Sequence, residues 1–462
     1  MSSARFASSR ALSPGIWIIL LLAVVSTTGV LLMPAPERGG AVLWTFIDYN
    51  GKNYASILAA WNRAHPDTRL QAKVIEYAAL QRRMLTGFFS GTPTADLLEV
   101  ERSIANRAFI GPLDRVGFVD LTDYLRADGL TDEIAPAVYT PWSSRGRIFG
   151  IPIGFHPVLL AYRADLVEAA GIDVSQIETW DDFFRLLRPL MFDRNGDGQP
   201  DRYLLSGWNN NPNTIDILLL QADAQLFDPA GRPTLDTPRN AEILARLVSW
   251  FAGPNRIAAD ASDFTFAGNR QRLEGYVVAT FMPDWLAGSW RKDLTPLAGK
   301  VKLMPLPAWE RGGRRTSAWG GTMIGIAKSA PRPAEKWELV KMLYFSRELA
   351  ETNFNEFLIV SPLRRHHHLP MYDRPDPYFC GQPVGRLYLD QENNVPTRPS
   401  SPYTQEALRL ALDVLGTLKQ HAEATGRYDA ASLEPLAHQL LAEAQRSLLR
   451  QIARNPFLLA AP

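Results

Sequence analysis

The sequence predicts an α/β protein built as two lobes, on three observations. Residues 41–100 read strand, helix, strand, helix, strand; a second α/β series of similar size begins after a turn-rich stretch at 141–146; and the composition is that of an ordinary folded body. Of 462 residues, 46% are hydrophobic and 21% charged, which excludes a disordered, collagen-like or polytopic membrane chain. Forty-nine Lys and Arg oppose 48 Asp and Glu, and no long run carries one sign. Without such a run, a nucleic-acid binder's salt-dependent grip on phosphate has no source. The single cysteine, Cys380, forms no intramolecular disulfide and no multi-cysteine metal or redox motif.

In the first series, Ala41 to Ile47 is a β-rich run, and Tyr54, Ile57, Leu58 and Trp61 share one helical face. Pro66 closes that helix. Leu70 to Ile75 is a second strand, Leu80, Met84, Leu85 and Phe88 mark a second helix, and Ala95 to Val100 is a third strand. Helical crossovers between parallel strands are right-handed and cover both sheet faces. In the second series, Val158 to Tyr162 is a strand, and Asp165 to Ala170 is a helix stopped by Gly171. Thr179 with Asp182 suits a capping-box start to the helix bearing Trp180, Phe183, Phe184 and Leu187. Further helical faces fall at Ile215 to Ala222 and Leu244 to Phe251. Strands are expected at Tyr276 to Met282, Val301 to Leu306 and Trp319 to Ala327, and helices at Thr404 to Leu415 and Leu433 to Ile452.

Ahead of this body, Ile16 to Met33 is an apolar stretch just long enough to cross a bilayer. Arg5 and Arg10 precede it, with no acid before Glu37, which places Met1 in the cytoplasm and the body outside. Residues 1–40 thus read as a leader with a membrane anchor through 16–33. A cleaved signal segment is the alternative, although Met33-Pro34-Ala35-Pro36 lacks a clean small-x-small site.

The run from Gly150 to Leu166 (GIPIGFHPVLLAYRADL) resembles the G-I-P … L-x-Y-N-x-D-L signature of the family 1 extracellular solute-binding proteins of ABC importers, the maltodextrin-binding type, with Arg163 in place of the usual Asn. Other likenesses follow in order: Trp44 to Gly51, Thr94 to Leu98, Trp180 to Phe183, Met282 to Trp285 where the family has Gly-Pro-Trp, Gly320-Gly321, and Ser361-Pro362. The resemblance implies a periplasmic-binding-protein-like fold of type II, each lobe a mostly parallel sheet flanked by helices. It also implies three hinge crossings, near 152–157, 304–308 and 345–360. Lobe 1 would comprise 41–152 and 307–358, and lobe 2 would comprise 153–306 and 359–462 with the C-terminal helices. The implied function is capture of a carbohydrate or polyol in the interlobe cleft and its delivery to ABC transporter permease subunits, with no required cofactor.

A sugar presents apolar faces and a rim of hydroxyls, so its site needs flat aromatics and side chains with paired donors and acceptors. Trp61, Trp180, Trp250 and Trp337 lie on helix faces and read as core. Trp44, Trp208, Trp285 and Trp319 lie at strand ends or turns, where open α/β sheets bind ligands. Polar candidates from the same loops are Asp48, Tyr49, Asn50, Glu99, Glu101, His156, Asn209, Asn210, Asn211, Asn213 and Asp284, with Gly320 and Gly321 beside Trp319. His156 reads equally as a structural histidine at a hinge. Asp193, Asn195, Asp197, Gln199 and Asp201 have the oxygen spacing of a calcium loop, but its twelfth position is Leu204, so the alternatives are a structural calcium site and a metal-free Asx-rich turn. His366-His367-His368 reads as an exposed loop. No G-x-S-x-G, H-E-x-x-H or G-x-x-x-x-G-K-[ST] motif occurs, so the chain does not read as an enzyme. A ligand-sensing or adaptor protein and a glycoside-active enzyme stay open as other readings.

Overall fold

The computed structural model describes residues 14–32, 40–207 and 211–455. Helix α1 (Pro14–Leu32) precedes the body. Its apolar side chains Ile16 to Leu22, Val24 and Val25 are exposed. Described side chains run only from Gly15 to Thr28, and among the described residues no helix is long and apolar enough to cross a membrane.

The first lobe is seeded by β1 (Ala41–Thr45), α2 (Asp48–Ala64), β2 (Leu70–Val74), α3 (Tyr77–Ser90), β3 (Leu97–Glu101) and α4 (Arg102–Arg107). α5 (Thr122–Ala127), α6 (Pro136–Tyr139) and a small ribbon of β4 (Ser143–Ser144) and β5 (Arg147–Ile148) lead to β6 (Ile151–Pro152). The second lobe runs through β7 (Pro157–Arg163), α7 (Ala164–Ala169), α8 (Trp180–Leu187), β8 (Tyr203–Ser206), α9 (Pro212–Gln221) and α10 (Pro238–Phe251). It continues through β9 (Ala258–Ala259), α11 (Phe266–Leu273), β10 (Val277–Pro283), α12 (Asp284–Asp293), β11 (Val301–Met304) and β12 (Ser317–Ala318). The chain returns to lobe 1 for β13 (Thr322–Ile326), α13 (Pro333–Tyr344) and α14 (Arg347–Phe357). It ends on lobe 2 with α15 (Val384–Leu389), α16 (Thr404–Thr425) and α17 (Ala430–Ala453), the last two packed on each other and on α10.

The lobe 1 sheet has the order β2-β1-β3-β13-β6, and the lobe 2 sheet β11-β7-β10-β8-β9 with β12 also on β7. The strands joined by helices within a lobe are parallel: β1 with β2 and β3, and β8 with β9 and β10. β13 and β7 are antiparallel to their neighbours and all other strands of each sheet run one way, so each sheet is mostly parallel with a single reversed strand. These strands arrive from the other lobe, free of the local crossover that enforces parallel pairing.

The first crossing, between β6 and β7, falls where the sequence placed it. The second does not. β12 pairs antiparallel with β7, so lobe 2 extends to Ala318 and the chain changes sheet at Trp319 to Gly321, not at 304–308. The third follows α14, at Leu358 to Ser361. Thr179 and Asp182 form the expected reciprocal capping box, and Trp180, Trp250 and Trp337 are core.

Candidate functional site

Between the two sheets lies a cavity of about 640 Å³. Lobe 1 contributes Phe46 and Ile47 after β1, Tyr77 at the start of α3, and Glu101 and Ser103 where β3 passes into α4. Lobe 2 contributes Asn213 on the first turn of α9, Phe264 before α11, and Trp285 and Ser289 on α12. The crossings supply Ile153 and His156, then Trp319, Gly320 and Gly321, then Ile359, and Gln405 of α16 closes one side. Apart from α16, each segment follows a strand or links the sheets, the position at which open α/β sheets hold ligands.

The aromatics form one cluster. The Trp285 and Trp319 rings meet edge to face at 5.1 Å, and Phe264 lies nearly parallel to Trp285, 10° off with centroids 6.1 Å apart. Phe264 is 60% exposed, which leaves a flat apolar surface in water at the cleft mouth. Across the cleft, Phe46 meets Tyr77 edge to face at 5.3 Å. Gly320 and Gly321 have φ of +78° and +116°, and a Cβ on Gly320 would stand 3.0 Å from the Trp285 indole nitrogen, so this crossing requires glycine.

The polar groups are held in set positions. Glu101 Oε2 accepts from Tyr77 Oη at 3.2 Å, from Ser103 N at 2.7 Å and from Ser103 Oγ, capping α4. Burial, then the Glu101 charge, push the Tyr77 hydroxyl up to about 12, so it stays a neutral donor. Among the described residues, Glu101 is the only acid lining the cavity, and no Lys or Arg lines it. Behind the wall, Arg102 of lobe 1 pairs with Asp216 of α9 at 2.6 Å, linking the lobes, and Arg398 donates to Gly320 O at 2.7 Å. Burial, then the like charge of Arg102, lower the Arg398 guanidinium to about 9.

Seven residues expected from sequence line this cavity: Glu101, His156, Asn213, Trp285, Trp319, Gly320 and Gly321. Asp284 does not. It is fully buried, and its oxygens accept from His156 Nδ1 at 2.7 Å, Trp285 N at 2.7 Å and Val360 N at 3.0 Å, so none faces a ligand. Asn50 is buried against Glu99, and Trp44 packs on the lobe 1 core, because alternation along β1 and the helical turn of α2 direct both away from the cleft. Asp48 and Tyr49 begin α2, but their side chains lie outside the described set, as do Trp208, Asn209 and Asn210 altogether. Asn211 caps α9 through Asn213 N. Sequence reasoning missed Phe264 and Tyr77. Phe264 and Phe266, set in the polar run Ser262 to Gly268, were the available signal.

Among the described residues, no three acidic, histidine or cysteine side chains converge as metal ligands. In the 193–201 loop, Asp193 accepts from Gly196 N and Gly198 N, Asn195 from Asp197 N, Asp197 from Gln199 N, and Asp201 from Arg194 N. Gln199 Oε1 accepts from Arg256. This is a series of Asx turns, and the expectation of calcium there gains no support from it. Of the histidine run, only His368 is exposed as expected. His366 is buried with Nδ1 3.0 Å from Ser361 Oγ, and His367 Nε2 lies 3.0 Å from Ser361 O, because both rings fold back onto the third crossing.

The model of the bacterial extracellular solute-binding protein family matches residues 49–348. The chain is 25% identical over 290 residues to an arabinooligosaccharide-binding protein of Halalkalibacterium halodurans, covering 61% of this chain and 62% of that protein. It is 24% identical to the protein so named from Bacillus subtilis, covering 73% and 76%. It is 22% identical to a lactose-binding protein of Rhizobium radiobacter, covering 83% and 89%. The alignment thus spans under two thirds of the first relative's length. Among solved structures, the chain is similar to the sugar-binding protein MalE of Xanthomonas citri, with a TM-score of 0.68, 18% identity, and 89% of this chain and 99% of that one covered. It is also similar to an extracellular solute-binding protein of family 1, with a TM-score of 0.70, 18% identity, and 88% and 99% covered. At such identities, these structures show a common fold.

Proposed function

We propose, from the premise that this chain belongs to the bacterial extracellular solute-binding protein family, that its interlobe cleft captures an uncharged carbohydrate outside the cytoplasm and delivers it to the membrane subunits of an ABC importer. The observation that carries this reading is the aromatic cluster of Trp285, Trp319 and Phe264 set opposite Glu101. Ring C–H faces stack on the indoles, and hydroxyls donate to the carboxylate or pair with Asn213, Ser103 and Ser289. Binding is without turnover, as expected of a family of binding proteins. The names borne by the relatives favour an oligosaccharide. α1 serves as an uncleaved anchor that keeps the body at the outer membrane face, near the permease.

The test is thermal unfolding of the full chain in mild detergent against neutral oligosaccharides, including arabino-oligosaccharides and lactose, with sugar recovery checked afterwards. A ligand at 100 times its dissociation constant should stabilise the protein by about 2.7 kcal/mol and be recovered intact. Trp285→Ala should abolish that shift. Hydrolysed sugar, or no shift with any carbohydrate, would refute the proposal.

A further inference from the structure

The three crossings share an unusual property. Each contains left-handed backbone: His156 at φ +48° in the first, Gly320 and Gly321 in the second, and Leu358 at φ +57° in the third. For His156 and Leu358, this conformation persists only where the surroundings fix it. The groups that fix it converge on two adjacent residues at the start of α12.

The Asp284 carboxylate holds the first crossing through His156 Nδ1 and the third through Val360 N. Trp285 Nε1 donates to Trp319 O at 3.2 Å in the second, and Trp319 N donates to His156 O at 3.3 Å, joining the second crossing to the first. Trp285 N donates to Asp284 Oδ1, so the carboxylate is also held to the backbone of the residue that carries the indole. A buried carboxylate is tolerated only with such donors, and removing it would leave His156 and Val360 unpaired.

We propose that Asp284 is a positioning residue that sets the lobe angle by tying all three crossings to Trp285, so that a ligand seated on that indole acts on the whole hinge at once. The inference rests on the reading of the cleft as a hinged binding site and assigns Asp284 a role other than ligand contact. The ring that the ligand touches, the carboxylate beside it and the three connecting segments move as one body. Lobe closure is then a single rotation rather than three independent bends.

The test needs no ligand, so its failure is separable from failure of the carbohydrate reading. Spin labels at Arg83→Cys on lobe 1 and Ala170→Cys on lobe 2, in a Cys380→Ser background of the full chain, report the distribution of interlobe distances. Asp284→Asn should widen that distribution at least twofold. Asp182→Ala, which removes the carboxylate half of the α8 capping box in lobe 2, should lower melting without widening it. A distribution as narrow in Asp284→Asn as in wild type would overturn the proposal, as would equal widening in Asp182→Ala. If Asp284→Asn does not fold, His156→Ala decides alone, because alanine removes the imidazole donor without giving the backbone the freedom of glycine. Widening there supports the hinge role, and an unchanged distribution overturns it.

Discussion

Replacing Glu99 by glutamine should make the protein more stable above neutral pH and less pH-dependent. Glu99 is fully buried at the middle of β3, ringed by Thr45, Asn50, Tyr54 and Tyr344, with Asn50 Nδ2 on one oxygen and Tyr54 Oη 3.1 Å from the other. Burial outweighs these hydrogen bonds and raises the carboxyl from 4.5 to about 7. The folded protein therefore holds this proton more tightly than the unfolded chain does. Its contribution to stability is complete below pH 4.5 and is lost as pH rises through 7. At 1.36 kcal/mol per pH unit, the whole loss is on the order of 3 kcal/mol. Glu99→Gln preserves an acceptor for Asn50 and has no charge to desolvate. Urea unfolding of both proteins from pH 4.5 to 8.5 should give curves that diverge steadily, with wild type falling relative to the variant by roughly that amount. Parallel curves would show that Glu99 is ionised throughout, and would refute the reasoning.

Three further outcomes follow. Phe264→Ala should weaken carbohydrate binding severalfold, on the order of 1 kcal/mol for one exposed stacking surface, with ligand-free melting unchanged; titration calorimetry would show it, and an unchanged affinity would place Phe264 outside the site. Asp216→Asn leaves Arg102 buried without its carboxylate and should shift the lobes apart, seen as a larger radius of gyration in X-ray scattering, while the exchange Arg102→Asp with Asp216→Arg should restore the wild-type radius. The full chain should remain with membranes after carbonate extraction while its body is digested by external protease, and recovery of a soluble form starting near residue 36 would show instead that the segment is cleaved.

Much of the fold was legible because its elements are long enough to show a period. The helices bearing Trp180 and Leu244 repeat their apolar face over two turns or more, and Thr179 and Asp182 mark a start by capping chemistry. β12 is only two residues long, too short to show alternation, which is why the second crossing was placed too early. In the site, Trp285, Trp319 and Glu101 were legible because each stands where a strand ends and its chain meets the cleft. Asp284 was not, because its neighbour faces the cleft while its own carboxylate turns inward, and linear order does not say which of two adjacent residues at a helix start does which. Tyr77 and Phe264 were missed because each becomes part of the site only when a distant segment lies opposite.

The strand order of lobe 1 bears on how the chain acquires its structure. β13 lies between β3 and β6, with Thr322 opposite Glu101 and Met323 opposite Pro152, so the lobe whose strands come first along the chain is completed by one that comes after every strand of lobe 2. The sheet of lobe 2 draws every strand from the continuous stretch 157–318 and can form without waiting. Lobe 1 must close a loop spanning its neighbour, a slow, entropically costly pairing, and until then the edge of β3 stands open to any extended segment that meets it. The sheet of the second lobe can therefore form before that of the first is complete, while its own helices α16 and α17 come last of all, so each lobe waits on chain made after the other.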